Sequence, residues 1–210
     1  MPPATNGPAL SSAAAWPGAP AASPPAELRA GPLLLRRMRE NDATGVAATV
    51  GASLAHLRPW MPWATPEAAD HRNQRARIAE ADDLWEAGTD YIYLILVAHD
   101  GVLAGTIGLH RRVGDGGIEI GYWIAVGHTR RGYATAAARA MTSLAFTLPG
   151  VRRVEIHCDE ANVPSAGVPR KLGFRMDRIE PHDPEAPGER GQRMIWVCET
   201  PDDLATEPPR

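Results

Sequence analysis

The stretch GIEIGYWIAVGHTRRGYATAAARAMTSLAF, Gly117 to Phe146, decides how this chain is read. In its first half Ile118, Ile120, Tyr122, Ile124 and Val126 alternate with Glu119, Gly121, Trp123 and Ala125, the period-two pattern of a strand. From Ala134 the period changes. Ala134, Ala137, Ala138, Met141, Leu144, Ala145 and Leu148 follow the i, i+3, i+4, i+7 spacing of a helix with one buried face, and Pro149-Gly150 stops it. Between the two lies a basic turn, His128-Thr129-Arg130-Arg131-Gly132-Tyr133-Ala134-Thr135. Free backbone N–H groups and the positive end of a helix dipole converge there, which suits a phosphate or pyrophosphate. The plain alternative is a strand-to-helix connection with solvated arginines. Neither G-x-x-x-x-G-K-[ST] nor a G-x-G-x-x-G opening a first strand-helix unit occurs, so a P-loop and a dinucleotide fold are both unsupported.

Working outward, the 210 residues are 44% apolar, enough for one substantial core, and the formal charge of −3 argues against a nucleic-acid binder acting through a broad basic surface. No apolar run approaches the roughly 20 residues needed to span a bilayer. Residues 1–30 carry proline at 2, 3, 8, 17, 20, 24 and 25 and almost no charge before Glu27, which predicts a disordered tail. A basic n-region followed by an unbroken apolar segment is absent, so the expected location is the cytoplasm. Cys158 and Cys198 fit that compartment as small buried residues with free thiols, and no metal is expected.

The folded part is expected to start at Leu33 with a short strand, followed by Asn41-Asp42 as a helix N-cap and a helix to about Leu57. Prolines then keep His56 to Ala64 extended, and Trp60 and Trp63 there are either packing between helices or the apolar wall of an acceptor site. Pro66 to Gly88 reads as a second helix. Tyr91 to Ala98 is a buried strand, and the Asp100-Gly101 turn folds Val102 to Leu109 back on it. After the central helix, Arg152 to Asp159 is a strand, Asn162 to Leu172 a short helix, and Phe174 to Glu180 with Met194 to Glu199 a closing pair. The fold class implied is mixed α/β (α+β): a mostly antiparallel sheet with helices on both faces, occupying residues 31–200, with residues 201–210 as a C-terminal tail.

The strand, basic turn and helix resemble the acetyl-CoA signature of the GNAT superfamily of N-acetyltransferases, in which a turn [QR]-x-x-G-x-[GA] holds the cofactor. Gly132 and Ala134 fill its last two positions; Thr129 replaces the first, leaving Arg130 and Arg131 to supply positive charge. The resemblance extends from about Leu33 to Glu199. It is carried by LLLRRMRENDA, HLRPWMPWA, IEIGYWI, and Asp159-Glu160-Ala161-Asn162-Val163-Pro164-Ser165 leading to Lys171-Leu172-Gly173-Phe174, and it is to the RimJ/RimL branch, which acetylates the α-amine of ribosomal proteins. Pro169 departs from a regular helix, since it removes the hydrogen bond to the Ser165 carbonyl.

The resemblance implies acetyl-CoA as cosubstrate. Arg130, Arg131, Gly132, Tyr133, Ala134 and Thr135 would cradle its pyrophosphate, Ile124, Ala125 and Val126 would pair with the pantetheine, and Asn162 and Lys171 would complete the site. Glu119 is the candidate general base, its alternative being a strand carboxylate paired with an arginine. Ser165 is the candidate donor to the coenzyme A thiolate, its alternative being a helix cap. Three functions stay open: acetylation of a protein N-terminus such as that of a ribosomal protein, acetylation of a small amine such as an antibiotic or polyamine, and a non-catalytic acyl-CoA sensor. Monomer and homodimer are equally compatible.

Overall fold

The computed structural model describes residues 23–206. Eight strands form one sheet: β1 Glu27–Ala30, β2 Leu33–Arg37, β3 Asp90–Val97, β4 Leu103–His110, β5 Gly117–Ile124, β6 Arg153–Asp159, β7 Arg175–Pro181 and β8 Gln192–Cys198. Their order across the sheet is β1-β2-β3-β4-β5-β6-β8-β7. All neighbours are antiparallel except β5 and β6. The helices are α1 Ala43–Leu57, α2 His71–Ala87, α3 Tyr133–Ala145 and α4 Val163–Leu172. None of them is long and apolar enough to cross a membrane.

Strand alternation sorts the side chains onto two faces. Ile95, Ile107, Leu109, Ile118, Ile120, Val154 and Ile156 are sealed on one face with Ala137, Ala138 and Met141 of α3. At about 1.5–3 kcal/mol for each large aliphatic side chain removed from water, this face is the main stabilising layer. On the other face Val46, Val50 and Leu57 of α1 pack with Leu94, Trp123 and Ala125.

Several expectations need correction. The tail expected over residues 1–30 falls on undescribed positions only up to residue 22; Glu27–Ala30 is a strand paired with β2, turned by Gly31 at φ 58°, and Tyr93 Oη donates to Pro25 O at 2.8 Å. The expected C-terminal tail also begins inside the fold, because Ala205 N–H donates to Leu172 O at 2.9 Å. The helix read from Pro66 is interrupted: Asp70 is extended, and its carboxylate caps α2 by accepting from the Arg72 and Asn73 N–H groups. Asp42 stands at the α1 N-cap without a side-chain cap bond. β5 ends at Ile124 instead of Val126, because Val126–His128 tightens into a 3₁₀ turn. Pro169 does not break α4, which runs through it.

Candidate active site

The parallel ladder between β5 and β6 has three rungs, Gly117↔Arg153, Ile118↔Val154 and Glu119↔Glu155. Beyond Glu119 the two strands diverge, and that edge of β5 has no strand neighbour among the described residues. Ala125 N–H donates to Ala104 O at 2.8 Å on the β4 side, so by the alternation of antiparallel pairs the peptide groups of Tyr122 and Ile124 point to the diverging edge. Of the three residues expected to pair with a pantetheine, only Ile124 therefore offers its backbone. Ala125 is engaged on both sides, since its carbonyl also accepts from His128 N–H, and Val126 N–H is held by Ser53 Oγ at 3.2 Å.

The turn that follows is shaped for close approach. Gly132, at φ 77°, is the N-cap of α3, and a Cβ there would meet nothing within 4 Å. No side chain caps the helix, so the first N–H groups, over Tyr133, Ala134 and Thr135, are left for an anion. Arg130, the one non-glycine residue with positive φ among those described, and Arg131 are both exposed beside this end. His128 stacks on Tyr133 with centroids 6.0 Å apart, and its buried Nδ1 has no hydrogen-bond partner. Residues of this kind fit a pyrophosphate.

Across the divergence stands α4. Asn162 Oδ1 caps it by accepting from Ser165 N–H at 3.2 Å, while Lys171 is exposed in its last turn. Pro169 has no N–H to give the Ser165 carbonyl, and Tyr122 Oη takes its place, donating to Ser165 O at 3.1 Å. The same Oη lies 3.1 Å from Ser165 Oγ. With the tyrosine proton committed to the carbonyl, the serine hydroxyl donates to Oη. Burial pushes the Tyr122 phenol up, and pushes the nearby Cys158 thiol up to about 11. Sequence reasoning missed Tyr122, although a tyrosine among isoleucines on a buried strand face needs a partner for its hydroxyl.

Glu119 lies on the opposite face. Burial pushes its carboxyl up, but Arg112 outweighs this and holds it below the usual range, Nε and Nη2 each donating to one oxygen at 2.7 Å. The arginine pairing weighed as the alternative for Glu119 is thus what its geometry provides. His157 Nε2 bonds Glu155 Oε2 at 2.6 Å while its Nδ1 lies 3.8 Å from Glu119 Oε2. Asp90 and His110, buried on the ends of β3 and β4, are joined through His110 Nδ1, a pairing no sequence pattern announces.

Two loops frame this face. Trp63 packs on Trp123 at 6.0 Å under the Arg77 guanidinium, so it belongs to the core between α1 and the sheet, whereas Trp60 is half-buried in the loop after α1. The β7–β8 connection reaches that loop, with Gly188 N–H donating to Pro59 O at 2.8 Å. It is anchored by Asp159, whose Oδ2 accepts from the N–H groups of Arg190, Gly191 and Gln192 and bonds His182 Nε2. Further along the sheet, a charged groove of about 510 Å³ opens between Arg112, Arg153, His157, Arg178 and Arg193. No cluster suited to holding a metal occurs among the described residues.

Residues 32–175 match the sequence model of the acetyltransferase (GNAT) domain. YdaF of Bacillus subtilis (strain 168), named for ribosomal N-acetyltransferase activity, is 31% identical over 151 residues, spanning 68% of this chain and 77% of YdaF. Mycobacterium smegmatis RimJ, solved with CoA-disulfide, superposes with a TM-score of 0.73 over 81% of this chain and 83% of its own, at 23% identity. RimL, a ribosomal L7/L12 α-N-protein acetyltransferase solved with coenzyme A, superposes with a TM-score of 0.74 over 83% and 98%, at 20% identity.

Proposed function

The chain belongs to the GNAT acetyltransferase family, and from that premise we propose that it transfers an acetyl group from acetyl-CoA to the N-terminal α-amine of a protein, a ribosomal protein foremost, in the cytoplasm. One observation carries the cofactor half of this reading. The three-rung β5–β6 ladder opens beside the uncapped N-terminus of α3, so a free strand edge and an anion-binding helix end share one cleft. The acceptor half is supported by the ribosomal acetyltransferase names of YdaF and RimL.

In this reading Arg130, Arg131 and the backbone from Gly132 to Thr135 hold the pyrophosphate, the Ile124 edge orients the pantetheine, and Asn162 and Lys171 flank it. Acetyl-CoA supplies an acyl carbon activated by its thioester. Ser165 Oγ, hydrogen-bonded to Tyr122, stands ready to protonate the departing sulfur. An α-amine has a reference pKa near 8 and arrives mostly as an ammonium. The Glu119 carboxylate, kept ionised by Arg112, and Glu155, paired with Arg153 and His157, lie on the face where such a cation would dock. Trp60 and the Gly188 loop bound the entrance on the acceptor side.

The test is an acceptor screen with labelled acetyl-CoA over peptides bearing free N-terminal Ser, Ala or Met, with spermidine and an aminoglycoside as small amines. Label is expected on a peptide α-amine. Label on the small amines alone would move the acceptor to that class, and tight coenzyme A binding with no transfer would leave a sensor.

A further inference from the structure

We propose that His110, oriented by Asp90, accepts the proton that the acceptor amine must lose, an assignment that rests on the acetyltransferase reading above. His110 ends β4 and Asp90 begins β3, and the antiparallel register sets them directly opposite. Their contact uses Nδ1, and both side chains are almost sealed, at 11% and 12% exposure. An ionised Asp90 can only accept, so in the neutral ring the proton sits on Nδ1 and Nε2 carries the lone pair.

That nitrogen lies over β4 and the neighbouring cofactor strand β5. A Cβ on Gly108 would come within 2.8 Å of Nε2 and one on Gly121 within 3.2 Å, so the ring lies over this facing glycine pair, which leaves no room for a side chain at 108 without a shift and little at 121. Gly121 stands two residues beyond the last β5–β6 rung, where the strand has begun to diverge. His110 Nε2 makes no hydrogen bond among the described residues. Unlike the unpartnered His128 Nδ1 and Trp196 Nε1, it is not fully sealed.

The other two carboxylates on this face are committed elsewhere. Glu119 opposite His110 on β5 is clamped through both oxygens by Arg112, Glu155 on β6 by Arg153 and His157, and His157 lies between the two carboxylates. His157 Nδ1 faces a carboxylate, 3.8 Å from Glu119 Oε2, whereas His110 Nε2 has no carboxylate partner and lies over Gly121 of the diverging strand β5. In the reaction His110 Nε2 takes one proton from the ammonium, and the freed nitrogen pair bonds to the thioester carbonyl carbon. The C–S bond breaks with its electrons on sulfur, which takes the Ser165 hydroxyl proton, and the second nitrogen proton passes through water to the Ser165 oxygen, restoring the hydroxyl.

The experiment combines kinetics on the best amine from the screen with long-range ¹H–¹⁵N NMR of the histidine rings in the full chain. His110→Gln should lower kcat/KM by about 10²–10⁴, the usual worth of a positioned general base, with unchanged coenzyme A affinity, and its residual rate should keep rising with pH as free amine accumulates. Asp90→Asn should lose an intermediate factor and move the ring proton from Nδ1 toward Nε2, which a purely structural aspartate has no reason to do. Wild-type transfer equalled by His110→Gln would overturn the assignment alone. So would a wild-type neutral ring protonated at Nε2, a result independent of whether either variant folds. Failure of the wild type to acetylate any amine would overturn the transferase reading and this assignment together.

Discussion

Tyr122→Phe, made with and without Pro169→Ala, tests the unusual hydrogen bonding of α4. Tyr122 Oη is the donor that serves the Ser165 carbonyl, at 3.1 Å, because the residue four positions on is a proline. Removing the hydroxyl leaves that acceptor unmatched, which costs about 1–3 kcal/mol when fully buried; Ser165 is half-buried, so about 1–2 kcal/mol is expected. For a domain of this size that is a fall in Tm of roughly 2–8 °C. Pro169→Ala alone should change little, since the restored helix bond is offset by roughly 0.4–1 kcal/mol of extra freedom in the unfolded chain. In the Pro169→Ala background, however, the Ser165 carbonyl regains an N–H partner, and Tyr122→Phe should cost about 1 kcal/mol less. Urea unfolding of the four proteins gives the coupling directly. Equal losses in the two backgrounds, within about 0.5 kcal/mol, would refute the claim that tyrosine substitutes for the missing amide.

Gly132→Glu should leave the fold intact, because nothing lies within 4 Å of a Cβ there, yet lower coenzyme A affinity at least about tenfold by calorimetry, through a left-handed backbone that disfavours side chains and a misplaced negative charge. Glu119→Gln should destabilise by about 1–3 kcal/mol in urea, less than for a fully buried pair, because the Arg112 side chain is 46% exposed and water takes up part of its charge. Burial opposes ionisation of Asp159, but the backbone N–H groups of Ala161, Arg190, Gly191 and Gln192 and the His182 ring outweigh it and depress its folded pKa. Its stabilisation is therefore complete above the unfolded value near 4 and lost as pH falls through the folded one; Asp159→Asn should destabilise at pH 7 and flatten that acid-side loss in a thermal-melt pH series. Burial pushes the thiols of Cys158 and Cys198 up to about 11, so at pH 8 only about 0.1% is thiolate; dithionitrobenzoate should react slowly with the folded chain and find two free thiols after unfolding.

The strand, turn and helix from Gly117 were legible because a switch from period two to period 3.6 is written in consecutive residues. The two thiols were also readable as unbridgeable. Cys158 pairs with Met194 and Cys198 with Val154, which sets them about 13 Å apart along neighbouring strands. Strand β1 was not legible. Four residues are too short for alternation to stand out from a proline-rich neighbourhood, and what holds them is pairing with β2. The site chemistry was legible only in part. Glu119 could be placed on a face, but its clamp by Arg112 depends on where the β4–β5 connection returns. Asp90 and His110 meet through register, twenty residues apart, and the donors gathered by Asp159 come from a loop more than thirty residues away. The glycines at 108 and 121 were the available clue, since glycine inside a strand marks close approach of another group.

The short β5–β6 ladder gives the molecule a seam. Strands β1 to β5 form one half-sheet and β6, β8 and β7 another, and three rungs with α3 and α4 hold them together. A molecule lying along the diverging edge would bridge the halves as mortar bridges two courses of brick, so occupancy and cohesion are thermodynamically linked. A ligand at a hundred times its Kd adds about 2.7 kcal/mol to global stability, and more of the protection should appear at the seam than in the β2–β3–β4 meander. Amide hydrogen exchange would then slow first at Tyr122 and Ile124, whose peptide groups face the gap. The enzyme would be stiffest when loaded and loosest in the moment between product release and reloading.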